Sequence, residues 1–177
     1  FDAVVTAAPS SGSALTLKAG TGTLAFNELA TIQTTDMTLT ADDIGFAQPV
    51  AGTGNLGLQP STTTANIAVG GSGAPIAGLN LTAADLAELP LADLASLTIG
   101  GASDSGALDV AGTLNVSDTP LTLNGGGGIT QSGGAITSGA LTLEAAGNAI
   151  DLPNPVNAFG AVAIDGTPTR SEERRVG

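Results

Sequence analysis

LTLNGGGGITQSGGAITSGALTLEAAGNAIDLPNPVNAFGAVAI, residues 121–164, is the stretch on which the fold turns. In Leu121-Thr122-Leu123, Leu141-Thr142-Leu143 and Val162-Ala163-Ile164, two apolar side chains flank one small residue. Alternation of this kind sends neighbouring side chains to opposite faces, which is the period of a strand with one face buried and one wet. The first residues of the three runs are 20 and 21 positions apart, and Ile129 and Ile136 mark two further short apolar stretches within the first interval. Three short strands every twenty-odd residues is the pattern of one coil of a parallel β-helix.

The same pattern extends toward the amino terminus. Ala14-Leu15-Thr16-Leu17, Met37-Thr38-Leu39-Thr40, Ile67-Ala68-Val69, Leu79-Asn80-Leu81, Leu97-Thr98-Ile99, Leu108-Asp109-Val110 and Leu114-Asn115-Val116 all alternate, and Gly, Asn, Asp and Ser clusters separate them. Such clusters supply positive φ and tight turns. Leu17 to Leu39 is 22 residues and Leu97 to Leu121 is 24. A sandwich or barrel would carry longer strands, more aromatics and two-residue hairpin turns. The expected fold is therefore all-β: a right-handed parallel β-helix with coils of about 20 to 22 residues and Leu121, Leu141 and Val162 in one interior column. At about 4.8 Å per coil, the 169 residues before the tail would make about eight coils in a rod near 40 Å long.

One segment departs from the strand period. Thr82 can cap the amides of a helix, Asp85 stands three positions on, Leu86 and Leu89 share a face, and Pro90 ends the run. A helix of one to two turns is expected over residues 82–89, followed by a second apolar stretch from Leu91 to Leu94. It reads as a side flap covering an edge of the stack, with a docking helix for a partner as the sharper alternative.

Composition agrees with a thin core. Of 177 residues 42% are hydrophobic but only 2% aromatic, so Ala, Leu, Ile and Val must fill the interior without the large rings that an ordinary domain uses. The net charge is −12, and Lys18 is the sole cation among residues 1–169, against fourteen carboxylates. Such a surface repels phosphate backbones and anionic headgroups, so neither nucleic acid nor a membrane surface is an expected partner. No apolar run approaches the roughly 20 residues of a membrane span. The chain starts in mid-pattern without Met, which reads as a piece of something longer.

The last eight residues, RSEERRVG (170–177), hold three of the four basic residues and match neither the period nor the charge of what precedes them. They resemble the translation of a common short-read sequencing adapter. The expected organisation is a β-helix fragment over residues 1–169 and a non-native tail over 170–177 that makes no core contacts.

Residues 79–101 (LNLTAADLAELPLADLASLTIGG), 125–166 (GGGGITQSGGAITSGALTLEAAGNAIDLPNPVNAFGAVAIDG) and 14–45 (ALTLKAGTGTLAFNELATIQTTDMTLTADDIG) resemble the repeat regions of filamentous-haemagglutinin-type large exoproteins and related autotransporter passengers of Gram-negative bacteria. Together they cover a little over half the chain. The resemblance implies a right-handed parallel β-helix exported through an outer-membrane pore and displayed beyond the outer membrane as an adhesin filament. The partner it implies is a host-cell or other surface ligand of the parent protein. No functional residue carries over.

Chemistry is sparse. With no His and no Cys, Ser-His and Cys-His nucleophiles and the usual zinc sites cannot be built. Asp42, Asp43, Asp85, Glu88, Asp93, Asp104 and Asp109 could in principle serve a polysaccharide lyase or glycosidase on a β-helix, the alternative function class. Such sites usually add aromatic platforms and a cation, and here Lys18 stands alone. Gly- and Asp-rich turns can also hold calcium, but Gly100-Gly101-Ala102-Ser103-Asp104 lacks the required spacing and Asn124-Gly125-Gly126-Gly127-Gly128 lacks a carboxylate. The Gly70-Gly71-Ser72-Gly73 run precedes no helix with a Lys and is a turn. Thr21 with Thr23, Thr38 with Thr40, Thr62 with Thr64 and Thr167 with Thr169 approach an ice-binding pattern without repeating coil by coil. The reading that follows is a structural shaft segment of an adhesin-like exoprotein, with no catalytic, cofactor or metal residues of its own.

Overall fold

The computed structural model describes residues 5–7, 14–28, 30–32, 36–72 and 77–165. Tail residues 170–177, and Thr167 and Thr169 with them, lie outside the described residues. The described chain is a β-solenoid of parallel sheets with one short helix. Its first wall is a seven-stranded sheet stacking, in order, Ala14–Phe26, Asp36–Phe46, Asn55–Gln59, Ser96–Ile99, Leu121–Asn124, Leu141–Glu144 and Val162–Asp165. Seven strands mean seven turns, one fewer than the coil length alone suggests, and at about 4.8 Å per step their six spacings span roughly 29 Å.

Register is as the alternation demands. Leu121 pairs with Leu141 and Leu141 with Val162, and the second column runs Leu123, Leu143, Ile164. Upstream this second column continues through Ile99, Leu58, Leu39 and Leu17. From Leu39 to Leu123 its side chains are fully buried, and the wet residues between them face out. Val162 keeps its place in the ladder but is 52% exposed, because no described strand follows to cover it.

The first two strands of this wall are longer than the short runs suggested. Ala14–Phe26 and Asp36–Phe46 turn a corner without ending, helped by register shifts around Gly20, whose φ of 62° suits glycine. Their far ends begin the second wall, where Phe26 and Phe46 stack with ring centroids 5.2 Å apart. A five-stranded sheet continues that wall, in the order Gly78–Leu81, Asn66–Val69, Leu108–Val110, Ile129–Gln131 and Ile150–Asp151. Gly78–Leu81 lies later in sequence than Asn66–Val69 yet stacks on its near side, against Asp36–Phe46. Within this one turn the chain steps backward, and 41 residues separate Asn55 from its first-wall neighbour Ser96.

The third wall is split into two three-stranded sheets. One stacks Val5–Ala7, Ala30–Ile32 and Val50–Gly52, the other Leu114–Asn115, Ile136–Ser138 and Ala158–Phe159. The expected helix fills the gap between them. It spans Ala83–Ala87, with Thr82 and Asp85 forming a capping box. Val50 N–H donates to the Glu88 carbonyl at 2.7 Å on one side, and the buried Thr119 hydroxyl donates to the Leu91 carbonyl at 2.9 Å on the other. Leu86, Leu89 and Leu94 are buried in the common core. The segment is thus a stretch of wall and not an outlying flap: its carbonyls accept the Val50 amide from the sheet on one side and the Thr119 hydroxyl from the other.

Candidate functional site

Five of the carboxylates are staples between coils. The Asp42 carboxylate accepts from the amides of Ser61 and Thr62 and from the Thr62 hydroxyl, at 2.7–2.9 Å, one coil on. That hydroxyl above all, with the two amides and against partial desolvation, holds Asp42 below the ordinary carboxylate range. Asp109 does the same for the Ser132 amide and hydroxyl and the Thr130 hydroxyl. Asp85 caps its own helix through Thr82 and also accepts from the Phe46 amide at 3.0 Å. Asp43 accepts from the Thr23 hydroxyl, and Asp36 from the Asn55 amide. These carboxylates lie on the strands Asp36–Phe46 and Leu108–Val110 and in the helix, and none of the described clefts gathers two of them.

Polar side chains clamp a third corner. Gln131 and Asn157 exchange amide hydrogen bonds at 2.9 Å, and Asn157 Oδ1 also accepts from the Ile136 amide. Asn154 donates to the Gly134 carbonyl at 2.7 Å. None of these three was singled out from sequence, because isolated Asn and Gln in a loop carry no spacing signal.

The structure brings together the two turns that the sequence offered separately as calcium candidates. Asn124 pairs with Glu144 in the first wall, and its own Nδ2 donates to the carbonyl of Gly100 at 3.0 Å. The turn at 101–104 and the turn at 125–128 therefore stack at one corner. There they open a cleft of about 210 Å³ lined by Gly101, Asp104, Asn124, Gly126 and Glu144, with Ala102 and Ala146. Asp104 is 9% exposed and accepts the Gly101 amide at 2.6 Å. Burial pushes its carboxyl above the ordinary range, against the opposing pull of that amide. Glu144 was not foreseen as a partner of Asp104, since the two lie two coils apart and only the stacking sets them on one cleft.

The threonines fall differently from the sequence pairs. In the outer column of the first wall stand Thr16, Thr38, Gly57, Thr98, Thr122, Thr142 and Ala163, a single rank broken at two places. The second members do not repeat: Thr40 is followed by Gln59, which donates to it. Thr62 is held by Asp42 in a turn and has no part in the rank. Among the described residues no three carboxylates gather as a metal group, and no helix is long and apolar enough to cross a membrane.

Residues 91–165 match a family described as repeats of unknown function (DUF5649). The matched stretch runs from the end of the helical insertion through the last described strand, so it holds the most regular coils of the solenoid. No curated protein and no solved structure matches the chain. Fold and match together define a repeat β-solenoid, compatible with a structural repeat protein.

Proposed function

We propose that the chain is a shaft segment of a secreted, surface-displayed adhesin-like exoprotein of a Gram-negative bacterium, without chemistry of its own. The observation that supports this reading is the unbroken interior column from Leu39 to Leu143 through five successive first-wall strands. Each coil hydrogen-bonds the next and buries its aliphatic face against it, which gives a rigid rod resistant to proteolysis. Aspartate and threonine staples outside, with Lys18 as the sole cation before residue 170, leave an acidic, hydrated surface suited to spacing and not to gripping. Export through an outer-membrane pore, and a ligand held by another part of the parent protein, belong to the same reading.

The test is a replacement. Residues 14–165 in the parent protein are exchanged for the same number of unrelated β-helix coils, and export, filament length and adhesion are measured. Adhesion should persist. Loss of adhesion with export and filament length intact would place the contact site in these residues and refute the shaft role.

A further inference from the structure

Two asparagines stand two places before a hydroxyl residue with no proline between: Asn80-Leu81-Thr82 and Asn115-Val116-Ser117. That spacing is the acceptor pattern for attaching a sugar to an asparagine amide nitrogen. The pattern alone does not separate the two, but the fold does. Asn115 is exposed on Leu114–Asn115, the edge strand of its three-stranded sheet. Its Oδ1 accepts from the Ser117 amide at 2.9 Å, while its Nδ2 donates to no described residue. Ser117 is exposed as well, at a φ of 53°, and its hydroxyl is bound to no described residue. Leu114 and Val116 on either side are fully buried, and their amides donate to the carbonyls of Ala135 and Thr137 in the next coil, so the acceptor is held on a fixed piece of wall. Asn80 is placed otherwise. It is half-buried on a strand enclosed between Asn66–Val69 and Asp36–Phe46. The Thr82 hydroxyl is fully committed to the helix cap, donating to Asp85 Oδ2 at 2.6 Å and accepting from the Asp85 amide at 3.1 Å.

The structure assigns Asn115 as an N-glycosylation site of the folded chain, and Asn80 as a matching motif that the fold withholds. The substrate class is a sugar activated at its anomeric carbon by a pyrophosphate, carried on a nucleoside or on a lipid. In the transfer, the bond from that carbon to the pyrophosphate oxygen breaks and the oxygen keeps the electron pair. Asn115 Nδ2 forms the new bond to the carbon and gives up one proton to a base of the transferase. An amide nitrogen is a poor nucleophile because its lone pair is shared with the carbonyl, and loss of the proton restores it. The Ser117 amide favours that loss, since a donor on Oδ1 stabilises the charge that gathers there. Space is also available. Thr113 and Asn115 border a shallow cleft of about 440 Å³ whose other side is Leu86, Leu89, Pro90 and Leu91 of the helical insertion. No strand pairs with Leu114–Asn115 on that side, so a transferase reaches Asn115 without opening a sheet. A sugar there would lie over the apolar residues of the insertion, the stretch of wall that strands do not close. The assignment adds a covalent decoration to the solenoid and does not depend on the shaft reading.

The experiment offers the folded full chain to two transferases, each first shown to be active on its standard acceptor peptide. One arm uses a soluble bacterial N-glycosyltransferase with uridine-diphosphate glucose, the other a membrane oligosaccharyltransferase with a lipid-linked oligosaccharide. Intact mass counts the sugars and peptide mapping places them. Expected is a single glycan per chain, on Asn115, with Asn80 bare; the arm that delivers it identifies the carrier. Asn115→Gln and Ser117→Gly should each abolish the adduct. Both positions are exposed, and glycine suits the φ of 53° at position 117, so the second variant removes the hydroxyl and keeps the turn. Circular dichroism checks the fold of each, and should either variant misfold, the other decides. The proposal is overturned by any of three results: no sugar on Asn115 in either arm, Asn80 occupied as fully as Asn115, or an undiminished adduct in folded Ser117→Gly.

Discussion

Truncating Leu123 to alanine measures whether the interior column carries the stability of the solenoid. Leu123 is fully buried between Ile99 and Leu143, its ladder partners in the adjacent coils. Leu→Ala removes three carbons, worth roughly 2.4 kcal/mol of transfer free energy at ~0.8 kcal/mol each. A residual cavity of about 50 Å³ adds about 1.2 kcal/mol, since β-strands pinned by both neighbours can relax little into the space. The expected loss is thus about 3.5 kcal/mol, near the middle of the observed range for such changes. Ile164→Ala is the internal control. It occupies the same column two coils on but is 47% exposed, so its truncation should cost only about 1 kcal/mol. Urea denaturation followed by far-ultraviolet circular dichroism is the assay, because the chain contains neither Trp nor Tyr for fluorescence. Solenoid stability sums over neighbouring units, so the loss should appear as earlier unfolding of the coils around Leu123. A Leu123→Ala cost below about 1 kcal/mol, or one no greater than that of Ile164→Ala, would refute the packed-column account.

Further outcomes test the turns and staples. At Gly112 an added methyl would overlap the carbonyl oxygen of Gly70 in the neighbouring coil, so Gly112→Ala should cost about 2 kcal/mol or more by urea titration, whereas an open turn position would lose under 1. Asp42→Asn should destabilise the fold modestly at neutral pH: the folded pKa lies below the ordinary carboxylate range, so the staple is at full strength above that range and fades as pH falls through the lowered folded pKa. The difference between the two proteins should therefore vanish in acid, and a difference that grows on acidification would contradict the staple. Thr119→Val leaves the Leu91 and Leu94 carbonyls without their hydroxyl donor and should cost about 1–3 kcal/mol, with loss of amide protection concentrated in the helical insertion by hydrogen exchange.

The strand content and the main register were legible in the residues themselves. Alternation at Leu121-Thr122-Leu123 and Leu141-Thr142-Leu143 leaves one way to bury both leucines of each strand, and the spacing of 20 residues brings them into the same column. The helix cap was equally local, because Thr82 and Asp85 bond within one turn. Asn55–Gln59 escaped notice since Gly57 replaces the usual polar residue between its two leucines, and only its neighbours Asp36–Phe46 and Ser96–Ile99 make it a strand. The backward step at Gly78–Leu81 was hidden for a related reason: its pattern suits any wall, and the stacking position is chosen by which neighbouring strand has free amides and carbonyls. That choice also turned the helix into a piece of wall.

The corner cleft lay furthest from the sequence. Local alternation determines which side of a strand each residue faces, so the amino-acid sequence alone settled the all-β class, the aliphatic column and the wet outer face. Which turn residues meet across coils depends on the length of every intervening loop, summed around each circuit. Asp104, Asn124 and Glu144 became neighbours only when the complete stack had set those lengths against one another.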